Sequence, residues 1–184
     1  SSAFTWEPGT LSGASQSVSP TTSTTYTVSA TDGNGCSNTS TVTVTVNSNP
    51  SVSITANPIV PTVCIQSQQV TLSGNGATSY SWSGSISNAS AFTASSGTTT
   101  YTVTGTDGNG CTNTATIDVI GNDNPTVSAT ATPSSVCVGN TSDVTASGTA
   151  STYTWTGGPS TATWTVQPSS ITTYTVTGST AAGC

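Results

Sequence analysis

The sequence predicts an all-β protein made of tandem sandwich domains, and three observations support this prediction. The segment TTYTV recurs with its tyrosine at Tyr26, Tyr101 and Tyr174, at intervals of 75 and 73 residues, and such a fixed period indicates a repeat architecture. Thr and Ser alternate with Val, Ile and Tyr, which is the period of half-buried strands. Turns rich in Gly and Asn separate these runs. About seven short strands in a repeat of about 75 residues are typical of an immunoglobulin-like β-sandwich.

Tryptophans and cysteines recur at nearly the same interval and define three units. The tryptophans are Trp6, Trp82 and Trp155, at intervals of 76 and 73 residues. We therefore divide the chain into residues 1–47, the C-terminal part of a repeat (strands C to G), residues 48–121, a complete repeat, and residues 122–184, a repeat that lacks its last strand. These are the first, middle and third units. The two partial units predict that the chain is a window on a longer array.

Each strand of the middle unit is predicted from an alternating run. In chain order the runs are SVSITA, QQVTLSG, SYSWSG, SAFTAS, TTYTVTGT and, after a turn, TNTATIDVI. The turn contains DGNG, whose Gly and Asn residues accept the positive φ angles of tight hairpin loops. The last two runs therefore predict a β-hairpin, and the first unit contains a close copy of it. No run has the period of a helix.

The aromatic residues that recur once per unit are predicted to form the cores. They are Trp6, Trp82 and Trp155 on strand C, and Tyr26, Tyr101 and Tyr174 at the start of strand F. Trp164 has no tryptophan counterpart in the other units, although Phe92 lies near the corresponding position. Ordinary core packing is the first interpretation of Trp164. The second is a partly exposed platform on which a sugar ring stacks.

Five cysteines and no histidine predict disulfides formed outside the cytoplasm and no metal site. Cys64 and Cys137 precede strand B. The other cysteines follow a hairpin turn, and they are Cys36, Cys111 and Cys184. The two places lie at opposite ends of a sandwich, roughly 20–25 Å apart, whereas a disulfide joins α-carbons about 4.4–6.8 Å apart. Two pairings remain open. Across units, Cys64 joins Cys184 and the other three pair with neighbouring repeats; within units, Cys64 joins Cys111 and Cys137 joins Cys184.

The charges exclude several classes of function. The chain has no Lys, Arg or His and six acidic residues, so its formal net charge is −6. Binding to nucleic acid or to an anionic membrane surface depends on Lys and Arg, so neither partner is predicted. No apolar run is long enough to insert across a bilayer. Because the usual catalytic bases and oxyanion-binding cations are absent, we predict no enzymatic activity and no cofactor.

A calcium site is the remaining metal hypothesis. Asp32, Asn34, Asp107, Asn109 and Asp123 could supply oxygen ligands near a junction between units. However, the third unit has GSTAAGC where the others have TDGNGC, so the fold does not depend on that Asp and Asn. We interpret these residues as turn formers and predict no metal.

Four stretches carry a resemblance to a known family: FTWEPGTLSG, SPTTSTTYTVSATDGNGC, SSVCVG and GTDGNGCTNT. They are similar to the tandem immunoglobulin-like repeats of Bacteroidetes secreted surface proteins, which include the giant gliding-motility adhesins. The resemblance covers essentially the whole chain. It implies export by type IX secretion and an extracellular location at the cell surface.

The leading hypothesis is therefore a non-catalytic structural stalk or filament segment of a repetitive cell-surface adhesin. The expected partners are neighbouring repeats of the same chain, with other filament subunits or surface glycans as further candidates. Disulfides would give mechanical robustness, and a chain without Lys or Arg offers trypsin-like proteases no cleavage site. The alternatives are a polysaccharide-binding or accessory module of a secreted protein, based on Trp164, and a fibre domain of a bacteriophage.

Overall fold

The computed structural model describes residues 3–184 as an all-β chain of several sheets. Residues 1 and 2 of the predicted first unit lie outside the described residues. From residue 3 onward, the first unit forms one antiparallel sheet in the order β2-β1-β3-β4. Its strands are β1 (Ala3–Glu7), β2 (Leu11–Ser12), β3 (Thr24–Thr31) and β4 (Ser37–Val44). β3 and β4 form the predicted hairpin, with Tyr26 opposite Val42.

The middle unit contains two sheets. Its strands are β5 (Ser53–Asn57), β6 (Thr62–Cys64), β7 (Val70–Asn75), β8 (Ser79–Trp82), β9 (Ala91–Phe92), β10 (Gly97–Thr106) and β11 (Thr112–Asn122). One sheet has the order β5-β7-β9 and the other has the order β6-β11-β10-β8. β6 runs parallel to β11, and the other neighbours are antiparallel. A short 3₁₀ turn, Ser83–Ser85, follows β8.

These two sheets enclose one core, so the middle unit is a sandwich. Alternate residues of β7 are buried, among them Val70 and Leu72. They pack in the same cluster as Tyr101 of β10 and Val119 of β11, which belong to the other sheet. The alternation of Thr or Ser with these apolar residues puts the hydroxyl groups on the outer faces. Each fully buried Val or Leu stabilises the fold by about 1.5–3 kcal/mol.

The third unit repeats much of this arrangement. Its strands are β12 (Val127–Thr132), β13 (Ser142–Gly148), β14 (Thr152–Trp155), β15 (Thr163–Val166) and β16 (Val176–Ser179). They form a sheet in the order β12-β13-β15 and a pair, β14-β16. The core is built around Trp155, which is 1% exposed and packs with Val144, Ala146 and Val166.

The strand predictions differ from the structure in two places. SVSITA, QQVTLSG, SYSWSG and TTYTVTGT overlap β5, β7, β8 and β10, but SAFTAS contains only the two-residue strand β9. The sequence did not predict β6, a three-residue strand that ends at Cys64. In the part of the chain that the structure describes, no helix is long and apolar enough to cross a membrane.

Candidate functional site

The hairpin turn fixes the position of each hairpin cysteine. In the middle unit, the amide of Asp107 donates to the carbonyl of Cys111 at 3.0 Å. The Oδ1 atom of Asp107 accepts from the amides of Asn109 at 2.8 Å and Cys111 at 2.9 Å. The turn from Asp32 to Cys36 has the same bonds. The carboxylate therefore closes a local ring and presents the cysteine at the start of the last strand.

The third unit builds the same turn from different residues. The amide of Thr180 donates to the carbonyl of Cys184 at 2.7 Å, and the Thr180 hydroxyl accepts from the amide of Cys184 at 3.1 Å. A hydroxyl oxygen thus replaces the carboxylate oxygen of Asp107. This explains why GSTAAGC can stand where the other units have TDGNGC.

The acidic side chains considered as calcium ligands are already used as hydrogen-bond acceptors. Backbone amides, first that of Cys36 and then that of Asn34, lower the pKa of the exposed Asp32 carboxyl below its ordinary value of 3.8. Asp123 accepts from the hydroxyl of Ser96 at 2.7 Å. Within residues 3–184, His, Cys, Asp and Glu side chains form no group of three or more that could hold a metal ion.

β6 carries Cys64 to the end of the middle unit that adjoins the third unit. In the parallel pair of β6 and β11, Cys64 lies opposite Asn122, the last residue of β11. The next residue, Ile65, donates its amide to the carbonyl of Asn122 at 3.1 Å. The amide of Cys64 donates to Oε1 of Gln68 at 3.1 Å. Strand pairing and a local turn thus hold Cys64 beside the linker.

A disulfide joins Cys64 to Cys184 across the junction, with an α-carbon separation of 5.5 Å and a sequence separation of 120 residues. The Sγ atom of Cys184 also lies 3.9 Å from the carbonyl oxygen of Asn122. Of the two pairings left open by the sequence, the structure contains the bond between units. The bonds of Cys64 with Cys111 and of Cys137 with Cys184 are not formed, because both require Cys64 or Cys184.

The junction between the first and middle units has a corresponding geometry. The Sγ atom of Cys111 lies 3.9 Å from the carbonyl oxygen of Asn47, the same contact that Cys184 makes with Asn122. Nδ2 of Asn113 donates to the carbonyl of Pro50 at 3.0 Å, which holds the linker against the hairpin. Among the described residues, Cys36, Cys111 and Cys137 are free thiols.

The recurring aromatic residues lie in or beside the sheets, with different exposures. Tyr26, Tyr101 and Trp155 are buried, and Trp6, Trp82 and Tyr174 are partly buried. The tryptophans of β1, β8 and β14 each donate the indole N–H to a loop acceptor: Trp6 to the carbonyl of Gly13, Trp82 to Oδ1 of Asn88 and Trp155 to the carbonyl of Thr161, at 2.9, 3.0 and 3.1 Å. In each unit, the indole ring thus anchors a loop that lies six or seven residues further along the chain.

Trp164 is partly buried within the third unit. Its ring centroid lies 6.3 Å from that of Trp155 and 5.3 Å from that of Tyr174, the second in an edge-to-face arrangement. Phe92 lies 5.1 Å from Tyr101 in the middle unit. These aromatic contacts position the Trp164 ring, and part of it remains accessible to solvent.

Sequence reasoning missed Asn88 and Gln68, which position site elements through their side-chain carbonyl oxygens. Oδ1 of Asn88 accepts from the amide of Gly74 at 2.8 Å as well as from Trp82. The sequence contained no signal for either contact, because each depends on how the loops fold. In comparisons with known proteins, no family model matches the chain, and no curated protein matches it.

Proposed function

We propose that this chain is a non-catalytic structural segment of a long repetitive cell-surface adhesin, in which each unit adds length to a stalk or filament. The observation that carries the proposal is the disulfide between Cys64 and Cys184, which joins two adjacent units. On the chain-entropy model, closing a loop of 120 residues stabilises the folded pair by about 5 kcal/mol. A covalent bond at a junction resists separation of the units under tension.

We also propose that each unit is an immunoglobulin-like sandwich. Support comes from the middle unit, where β5-β7-β9 faces β6-β11-β10-β8. The N-terminal segment contributes β5 to one sheet and β6 to the other, and β6 pairs in parallel with the last strand. Tyr101 lies in this core, and Trp82 on the neighbouring strand packs against it. The same strand order, without a last strand, fits the third unit.

The disulfide pattern is proposed to continue along an array of such units. Each unit would join its first cysteine, as Cys64, to the hairpin cysteine of the following unit, as Cys184. Cys111 and Cys36 would then pair with first cysteines of preceding repeats, and Cys137 with the hairpin cysteine of a following one. The shared contact of Cys111 and Cys184 with a linker carbonyl supports this assignment.

The proposed location is extracellular, at the cell surface. Disulfides persist in oxidising compartments outside the cytoplasm, and the resemblance to Bacteroidetes gliding-motility adhesins supports export by type IX secretion. The absence of Lys, Arg and His supports a role without catalysis and without nucleic acid. Neighbouring repeats are the proposed partners.

Electron microscopy of the intact parent protein on its cell tests the stalk function. A stalk predicts threads with an axial repeat of roughly 35–45 Å, about one strand plus its loops per unit. Treatment with a reductant provides the matched comparison, because threads held by disulfides at junctions should become more curved. Compact particles of a few units, with no threads, would contradict the proposal.

Polysaccharide binding is a second candidate because part of the Trp164 ring is accessible. A glycan array with the whole chain tests it, with Trp164→Phe as the comparison, since Phe keeps an aromatic ring in the packing with Tyr174. Binding that is lost in this variant while the melting temperature changes little would favour a stacking platform. No binding at high protein concentration would leave the structural role.

A further inference from the structure

Three Asn-Gly pairs occur in the chain, and the fold holds them differently. They are Asn34-Gly35, Asn75-Gly76 and Asn109-Gly110, and each is preceded by another glycine. In such a pair the amide nitrogen of the glycine can attack the side-chain carbonyl carbon of the asparagine, because glycine has no side chain to shield that nitrogen. This reaction is one reason why asparagine is a thermolabile residue. Because the local sequence Gly-Asn-Gly is the same in all three, the fold decides which pair reacts.

The two hairpin turns hold their glycine amides in hydrogen bonds. The amide of Gly110 donates to the carbonyl of Asp107 at 3.2 Å, and the amide of Gly35 donates to the carbonyl of Asp32 at 3.2 Å. The Asp107 carboxylate also accepts from the amide of Asn109. Attack requires the glycine amide to lose its proton, and a carboxylate in the same turn disfavours a second negative charge. These turns must therefore open before their asparagines react.

The pair Asn75-Gly76 lies at the end of β7 and lacks this protection. Among the described residues, the amide of Gly76 donates no hydrogen bond. Nδ2 of Asn75 makes only long contacts, at 3.4 Å with Oγ1 of Thr55 and at 3.3 Å with the carbonyl of Ser73. Both residues of the pair are exposed, and the loop that follows contains no acidic residue. The attacking nitrogen and the leaving amide group are therefore accessible in the folded chain.

The fold requires a glycine at position 76 but does not require an asparagine before it. Gly76 has φ +88°, and a side chain there would collide with the carbonyl of Ser51. Gly148 has the matching position in the third unit, also with a positive φ and no space for a side chain. The residue before Gly148 is Ser147, which has the register position of Asn75. Serine has no amide group to lose, so the third unit supplies a replacement for Asn75 that the fold accepts.

We propose that Asn75 is a site of spontaneous deamidation in the folded chain. The amide nitrogen of Gly76 loses its proton and forms a bond to Cγ of Asn75, while the bond from Cγ to Nδ2 breaks and the amide group takes up the proton and leaves as ammonia. Water then opens the resulting succinimide at either carbonyl carbon, which yields aspartate or isoaspartate. The new carboxyl group releases its proton. Each event therefore adds one negative charge to a chain whose formal net charge is −6.

The test incubates the oxidised chain at mildly alkaline pH and measures the loss of each asparagine by pepsin digestion and mass spectrometry. The matched reference is the same chain unfolded in urea with a reductant, where the three Gly-Asn-Gly sequences are exposed alike and should react at similar rates. In the folded chain, we expect Asn75 to react at least about tenfold faster than Asn34 and Asn109, because opening a turn breaks several hydrogen bonds. Isoelectric focusing should show the added charge.

Two variants complete the test. Asn75→Ser, which copies Ser147, should remove the fast-forming acidic species and leave the melting temperature nearly unchanged. Asp107→Ala should accelerate the reaction at Asn109, with an unchanged rate at Asn34 as the control for an intact fold.

Three results would overturn the proposal. The first is a rate at Asn75 in the folded chain that is no faster than the rates at Asn34 and Asn109. The second is a fast-forming acidic species that persists in Asn75→Ser, because another residue would then be the source of the charge. The third is an equal slowing of all three asparagines on folding, since the turn hydrogen bonds would then not decide which pair reacts.

Discussion

Breaking the disulfide between Cys64 and Cys184 should change how far the chain extends under force. When the chain is pulled from its two ends, tension passes from Cys64 through the bond to Cys184, whose α-carbons are 5.5 Å apart. The intervening chain forms a closed loop in parallel with this bond. Unfolding of β7 to β16 inside the loop therefore adds no end-to-end length while the bond is intact.

The expected difference follows from the length of the loop. The two cysteines are separated by 120 residues, and an extended chain spans at most about 3.3–3.6 Å per residue. Loss of the bond should therefore release about 400 Å of additional extension. The perturbation is the double variant Cys64→Ser with Cys184→Ser, and the control is Cys137→Ser, which changes a free thiol.

Single-molecule force spectroscopy with handles on both chain ends measures this difference. We expect the oxidised wild-type chain and Cys137→Ser to lack the additional extension, and the double variant to show it. Addition of a reductant should convert the wild-type trace into that of the double variant. Equal extension of the oxidised wild-type chain and the double variant would refute the reasoning, because the bond would then carry no tension.

Three further changes test the local structure. Gly148→Ala should lower the free energy of unfolding by about 1–3 kcal/mol in urea denaturation, because Gly148 has φ +138° and a side chain would collide with the carbonyl of Thr126. The control Gly108→Ala, at an open position, should leave the free energy of unfolding nearly unchanged. Equal effects of the two substitutions would contradict the predicted collision. Asn88→Ala should cost about 1–3 kcal/mol in the same assay, because it removes the acceptor for Gly74 and Trp82, and an unchanged midpoint would show that water replaces it. The pKa of the Asp32 carboxyl, measured by NMR titration, should lie below 3.8. Because the pKa is lowered in the folded state, the carboxylate stabilises the fold above the unfolded pKa, and this stabilisation is lost as the pH falls through the folded pKa. A titration midpoint at or above 3.8 would contradict the hydrogen bonds of the turn.

The sequence predicted the features that depend on neighbouring residues. Alternation along TTYTVTGT and the Gly and Asn residues of the turn were sufficient to predict the hairpin of β10 and β11, because the interactions that specify it are close in the chain. The turn at Cys184 contains neither Asp nor Asn, yet it has the same bonds because Thr180 also supplies an oxygen acceptor. Local chemistry therefore predicted the hairpin and the place of its cysteine.

The sequence could not choose the disulfide pairing because that choice depends on non-local contacts. β6 is only three residues long, and it pairs with Ile120 to Asn122, far along the chain. No periodicity can be detected in three residues, so the strand was not predicted. Yet this pairing places Cys64 opposite Asn122 and hence beside the following unit. The register of β6 against β11 therefore determines that Cys64 pairs with Cys184.

The position of the bridge also decides what it can do mechanically. A bond from Cys64 to Cys111 would have closed a loop within the middle unit, and the linker to the third unit would have remained the only covalent connection at the junction. The observed bond instead lies beside the linker at Asn122. The linker and the disulfide together restrict bending at the junction more than the linker alone does, because a rotation of one unit about the linker must also distort the disulfide. Through this register, β6 both buries Val63, which is 2% exposed, in the core of the middle unit and places Cys64 at the junction.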